Sequence, residues 1–245
     1  MKIFWDTIAD YNQTTWVAQL FIILIGMLLT GMLYRSNKTW IKTAMKGYLA
    51  FTYLWIAFVY YLYFGEARSY HLVMTIFWSL MALVWIWDAA KEYTTFERDR
   101  QLDWLAWILL VMPFIYPAVS LARGMEFPQI TSPLMPCSVT IFTIGLLLLF
   151  SKKINLFIVL CLTHWSIIGV VKTYSYNIPE DFLLAVSAVP ALYIFFRQYF
   201  RHTLKQPSKP DAKYIRALLI LLFTIMGISL TGTFVWGVVN HAFTL

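Results

Sequence analysis

Charge is what this chain has least of. Only 19 basic and 12 acidic side chains stand among its 245 residues, 13% in all, where a soluble domain carries about a quarter. So little polar surface cannot cover a water-exposed globule of this length, and soluble and disordered readings fall away. Two cysteines exclude a disulfide scaffold, and 10 glycines without a repeat exclude a collagen-like chain. Missing as well is any Asp, Glu, Lys or Arg at the centre of the long apolar runs. That argues against a carboxylate proton relay, a voltage sensor or a lysine Schiff base, each of which needs an ionisable group in the hydrocarbon. What the chain does have is 60% hydrophobic and 18% aromatic residues and a mean hydropathy of +0.68. This describes a multi-span membrane protein.

A helical crossing needs about 20 apolar residues, and eight such runs are present. They extend from Thr15 to Tyr34, Ala44 to Phe64, Tyr70 to Trp87, Trp104 to Ala122, Leu134 to Phe150, Ile154 to Val171, Phe182 to Phe196 and Ile215 to Val239. None alternates as a barrel strand would, so the expected fold is an all-α polytopic transmembrane helical bundle of about eight spans.

Basic residues sort with the same alternation. Lys2, Arg68, Arg123 and Lys172 fall in one set of connections and ends, and the other fifteen of the 19 fall in the opposite set. Lys and Arg are retained on the cytoplasmic side of short loops, which places both termini outside. Met1 to Asn12 shows no cleavable signal, so the first span is expected to act as the targeting signal of a bacterial inner membrane protein. The basic face meets anionic lipid, and no nucleic-acid partner is implied by the pI of 9.3. Lys46 is expected to extend its ammonium to the headgroups. Residues 201–214 read as a basic cytoplasmic linker between a seven-span domain, 1–200, and an additional helix in 215–245. Gly227, Gly232 and Gly237 on that last helix permit close packing, within the bundle or between protomers.

Only Ser151, Lys152 and Lys153 join the fifth and sixth spans, which predicts an antiparallel hairpin. Thr140 then lies level with His164, Thr143 with Cys161, and Ser138 with Ser166. This polar layer reads either as hydrogen-bonded glue between helices or as the lining of a substrate path. Cys137, Cys161 and His164 would suit a soft metal by ligand type, but the two cysteines differ in depth by about 9 Å, so no metal or other cofactor is assigned. Pro113, Pro117 and Pro190 mark helix bends and point to a cavity between spans four, five and seven. Trp5, Tyr11, Trp16, Tyr60, Tyr61, Tyr63 and Tyr70 read as an interfacial aromatic belt, with an outward-facing binding mouth as the alternative.

The stretch Pro136, Cys137, Ser138, Val139, Thr140, Ile141, Phe142, Thr143, Ile144, Gly145 resembles the signature of a bacterial membrane family, domain-of-unknown-function family 6064. Trp165, Ser166 and Gly169, then Glu180, Asp181 and Leu184, are similar to its later landmarks, and Tyr11, Asn12, Trp16 and Gln19 to its opening. Ser138 and Val139 depart from the pattern. The resemblance implies a membrane protein and adds no reaction. Three functions stay open: transport or permeation of a small solute or soft ion along Thr140, Thr143, Cys161 and His164; a membrane enzyme using Cys137 or His164; and a non-catalytic accessory subunit.

Overall fold

The computed structural model describes residues 2–205, apart from 101, 176, 177 and 179. Helix α1 spans Lys2–Arg35; α2 spans Thr39–Trp55 and continues as a π-helix, Ile56–Tyr63; α3 is His71–Lys91 and α4 Asp103–Ala122. Then follow α5, Pro136–Phe150, α6, Leu156–Ser175, and α7, Asp181–Lys205. Strand β1, Thr95–Phe96, pairs antiparallel with β2, Ser151–Lys153. The first seven apolar runs all fall on helices. The eighth run, with its glycines, lies outside the described residues, as does the linker beyond residue 205. Residues 201–205 belong to α7 rather than to a linker.

Among the described residues five helices are long and apolar enough to cross a membrane: α1, α3, α4, α6 and α7. With 15 residues, α5 is about 22 Å long, short of the roughly 30 Å of hydrocarbon. Aliphatic side chains such as Ile76 and Val189, each 69% exposed, cover the outside of the bundle, as they do where the solvent is lipid. Inside, Trp78, Trp85 and Tyr53 are buried, with Tyr53 stacked on Trp78 at 5.5 Å.

Helix α1 begins 13 residues before the apolar run that predicts it. Its first turns are held by packing rather than by lipid, since Ile8, Tyr11 and Asn12 are buried. At 34 residues it is about 51 Å long and gives the bundle two distinct ends. At its start, Phe4 O accepts from Arg68. At its other end Arg98 sits over the Tyr34 ring at 4.0 Å. That second end also holds Arg197–Asp99 at 2.8 Å and a buried Lys46–Asp88 pair at 3.5 Å. Lys46 therefore does not reach for headgroups. Its ammonium also donates to Asp88 O at 3.1 Å, and the Asp88 carboxylate takes the Thr94 N–H on both oxygens at 2.8 Å.

The expected α5–α6 hairpin gives way to a different pairing. Helix α5 packs chiefly on α4, and α6 chiefly on α7. The short connection between α5 and α6 is drawn into the β-ribbon, where Asp99 N–H also donates to Leu149 O at 3.0 Å and Arg197 donates to Ser151 O at 2.9 Å. Two glycines explain the close pairs. A Cβ on Gly145 would lie 2.9 Å from Leu109 Cβ, and one on Gly169 2.9 Å from both Ala185 N and Asp181 O. Backbones approach where small residues let them.

Candidate functional site

Among the described residues no hydrogen bond joins Thr140, Thr143, Cys161 and His164 to one another. Each threonine returns its hydroxyl to its own helix, Thr140 to Pro136 O and Thr143 to Val139 O, both at 2.8 Å. Such back-bonding satisfies a hydroxyl inside an apolar pair without any ligand. Thr143 in addition accepts from the Tyr53 hydroxyl at 2.9 Å, a contact from α2. Cys161 is a buried free thiol near Tyr53. His164 is half-buried beside Phe77, and its Nδ1 has no hydrogen-bond partner among the described residues. Ser138 bonds Ser132 O at 2.9 Å, whereas Ser166 meets Ser187 of α7 at 3.1 Å. Among the described residues no group of three His, Cys, Asp or Glu side chains could hold a metal, so Cys137, Cys161 and His164 are not brought together.

Residues of the fourth, fifth and seventh spans, between which a cavity is expected, meet in the wall of a cavity at the start of α1, as Tyr116, Cys137 and Asp181. Another cavity, of about 240 Å³, lies between α1, α2, α4 and α5, with Pro113, Pro133 and Tyr48 in its wall. Its lining is almost wholly apolar, and the Thr30 and Thr52 hydroxyls in it are already bonded to their own helix.

The first of these, of about 180 Å³, lies at the end of the bundle where α1 starts, and it alone of the two carries charge. Its wall includes Arg68, Lys172, Asp181 and Cys137 among aromatic rings from Phe4, Tyr60, Tyr61 and Trp165. Several helices supply it for local reasons. The wide turns of the π-helix bury the consecutive Tyr60 and Tyr61, placing both on the cavity. Gly65 O accepts the Arg68 N–H at 2.8 Å in the turn that follows, which brings the guanidinium back over Phe4 and Tyr60 at 4.9 and 5.2 Å. Pro136 opens α5 at its first turn, where proline costs no hydrogen bond, and sets Cys137 beside it.

Polar contacts around this cavity form two linked groups. Lys172 Nζ lies 2.9 Å from Asp181 Oδ2 and donates to Cys137 Sγ at 3.1 Å. The Tyr116 hydroxyl reaches the other Asp181 oxygen at 3.4 Å. One residue earlier, Glu180 takes Arg123 at 2.9 Å and the Ser120 hydroxyl at 2.7 Å, and Ser120 also meets Thr131. Helix α1 pins the connection leading into α5. Asn12 donates to Pro128 O and Ile130 O at 2.9 and 2.6 Å, Tyr11 donates to Leu134 O at 3.1 Å, and Ser132 bonds Gln19.

Tyr11, Tyr60 and Tyr61 therefore leave the expected aromatic belt. Each is 3% exposed or less, while Trp16 and Tyr63 remain on the surface. From sequence, Arg68, Arg123 and Lys172 read only as bases of the sparse side, and Glu180 and Asp181 only as family landmarks; none of the five stands out as a site residue. One signal was available: Arg68, Arg123 and Lys172 are three of the four bases that break the one-sided sorting, and a base kept on the sparse side has a local use.

Several of the residues that carry the family resemblance gather at this end. Asn12 and Gln19 hold the loop, Cys137 and Trp165 line the cavity, Gly169 admits α7, and Glu180 and Asp181 take the ion pairs. No curated protein and no solved structure matches the chain. Residues 1–206 match the family of unknown function DUF6064, and with most of its length inside that match the chain belongs to this family.

Proposed function

We propose that the protein threads a bacterial inner membrane eight times, with both termini outside, and that it takes up a small solute at its outer end as the first step of transport or permeation. The observation that carries this reading is the 180 Å³ cavity holding Arg68, Lys172 and Asp181. Charged side chains in a membrane bundle are costly and mark solute or ion pathways. The one-sided distribution of bases supports the orientation, with the richly basic end facing anionic lipid on the cytoplasmic side. In this reading the solute enters past Tyr60 and Tyr61, and Thr140, Thr143, Cys161 and His164 do not line its path. The test is flux: proteoliposomes carrying the full chain are challenged with gradients of glycerol, glycine and acetate and followed by light scattering. Rates equal to protein-free vesicles for all three, and for a wider panel of small organic ions, count against passage.

A membrane enzyme acting through Cys137 is the second reading, favoured by the Lys172 ammonium at 3.1 Å from its sulfur and by Asp181 behind that ammonium. It requires that a small thiol reagent reach Cys137 in the folded protein. Absence of any labelling under native conditions removes it.

A further inference from the structure

We infer that the cavity at Arg68 binds a small organic anion, a monocarboxylate with a compact apolar body. This rests on the reading of that cavity as a solute site and names the class of solute.

The argument begins with charge. Three ionised side chains enter the cavity wall: Arg68, Lys172 and Asp181. Lys172 and Asp181 neutralise each other at 2.9 Å. Arg68 is left with a full positive charge and is only 5% exposed. Its two terminal nitrogens donate to neutral groups, the Tyr60 hydroxyl at 3.3 and 3.4 Å and Phe4 O at 3.2 Å. Its Nε is buried with no hydrogen-bond partner, and among the described residues no carboxylate forms an ion pair with it. Glu66, the acid nearest to Arg68 in sequence, and Asp10 of α1 border a separate exposed depression with Tyr63. A buried guanidinium without a counter-charge is strongly unfavourable, and ring faces recover only part of that cost. Such a site is completed by an anion, and the planar fork of arginine matches a carboxylate.

The rest of the wall defines the body of the ligand. Beyond the three charges it includes Phe4, Ile8, Met74, Trp165 and Ile168 together with the rings of four tyrosines, a largely apolar and aromatic surface that offers little to a hydrated inorganic ion. A volume of about 180 Å³ compares with the roughly 150 Å³ of an apolar cavity that accepts benzene, so a six-membered ring bearing one carboxylate fits, whereas a long acyl chain does not.

The experiment is equilibrium binding to the purified full chain in nanodiscs, by calorimetry and thermal shift, with benzoate, cyclohexanecarboxylate, benzyl alcohol, palmitate and sulfate as probes. Saturable binding of the two ring carboxylates is expected, at least tenfold tighter than the alcohol or sulfate, with at least a tenfold loss in Arg68→Gln. Equal binding of benzyl alcohol, preference for sulfate or palmitate, or an unchanged affinity in Arg68→Gln overturns the inference. Should Arg68→Gln not fold, Met74→Trp keeps the guanidinium and fills the cavity; a tenfold weaker affinity supports the site, and an unchanged affinity overturns it. Ring carboxylates that bind without crossing proteoliposomes sink passage and leave this site standing. Flux of other solutes with no carboxylate binding does the reverse.

Discussion

Lys172 Nζ and Asp181 Oδ2 stand 2.9 Å apart across the α6–α7 connection, both side chains largely buried, and this pair closes one side of the cavity at the start of α1. Each charge is tolerable there only because of the other. Asp181→Asn leaves the ammonium unpaired and is expected to cost about 3–5 kcal/mol, whereas Lys172→Met with Asp181→Asn is expected to recover much of that loss. Thermal unfolding of the three variants in detergent checks this; a double variant no more stable than Asp181→Asn contradicts it.

Gly169 and Gly31 offer a matched pair. A methyl at Gly169 meets the backbone of Ala185 and Asp181 at 2.9 Å, which cannot move aside as a side-chain tip can, so Gly169→Ala is expected to destabilise by about 1–3 kcal/mol. Nothing lies within 4 Å of the same methyl at Gly31, within α1, and Gly31→Ala is expected to be neutral or to stabilise by up to about 1 kcal/mol. A clear drop in melting temperature for Gly169→Ala and none for Gly31→Ala is the expected readout.

Because the Thr140 hydroxyl serves only Pro136 O of its own helix, Thr140→Val is expected to leave both solute flux and stability within about 1 kcal/mol of the parent. A collapse of flux on that change returns the α5–α6 layer to the solute path. Tyr53→Phe, which strips Thr143 of a cross-helix donor, is expected to cost about 1 kcal/mol in the same unfolding assay.

The two ends of the bundle can be assigned to the two sides of a membrane by single cysteines in a background without Cys137 and Cys161. Glu66→Cys, at the end shared with Phe4, is expected to react with an impermeant maleimide on intact cells, and Lys152→Cys, at the ribbon end, only after the cells are opened. Labelling of both from one side contradicts the proposed threading. Glu66 and Lys152 are both exposed, the Lys152 side chain 56% so.

Much of this architecture was legible before any coordinate. Hydropathy along the chain marks a membrane protein and seven of its helices, because an apolar run long enough to cross lipid is a local property. Alternation of the bases separates the two ends, since each connection carries its own charge. Four short motifs identify the family. None of these depends on which helix lies beside which.

Tertiary structure decided the rest. Helices apolar on every side do not reveal their neighbours: the short connection predicts α5 against α6, whereas Gly145 admits α4, and the hydroxyls of Thr140 and Thr143 return to α5 itself. The start of α1 was invisible to hydropathy because burial against the 128–134 connection, rather than lipid, holds it as helix. Arg68, Cys137 and the Lys172–Asp181 pair are far apart in the chain, and each taken alone reads as a charge at a helix end or a small apolar side chain. Only the packing of seven helices turns them into one charged cavity, because contact between distant residues is a property of side-chain fit and not of composition.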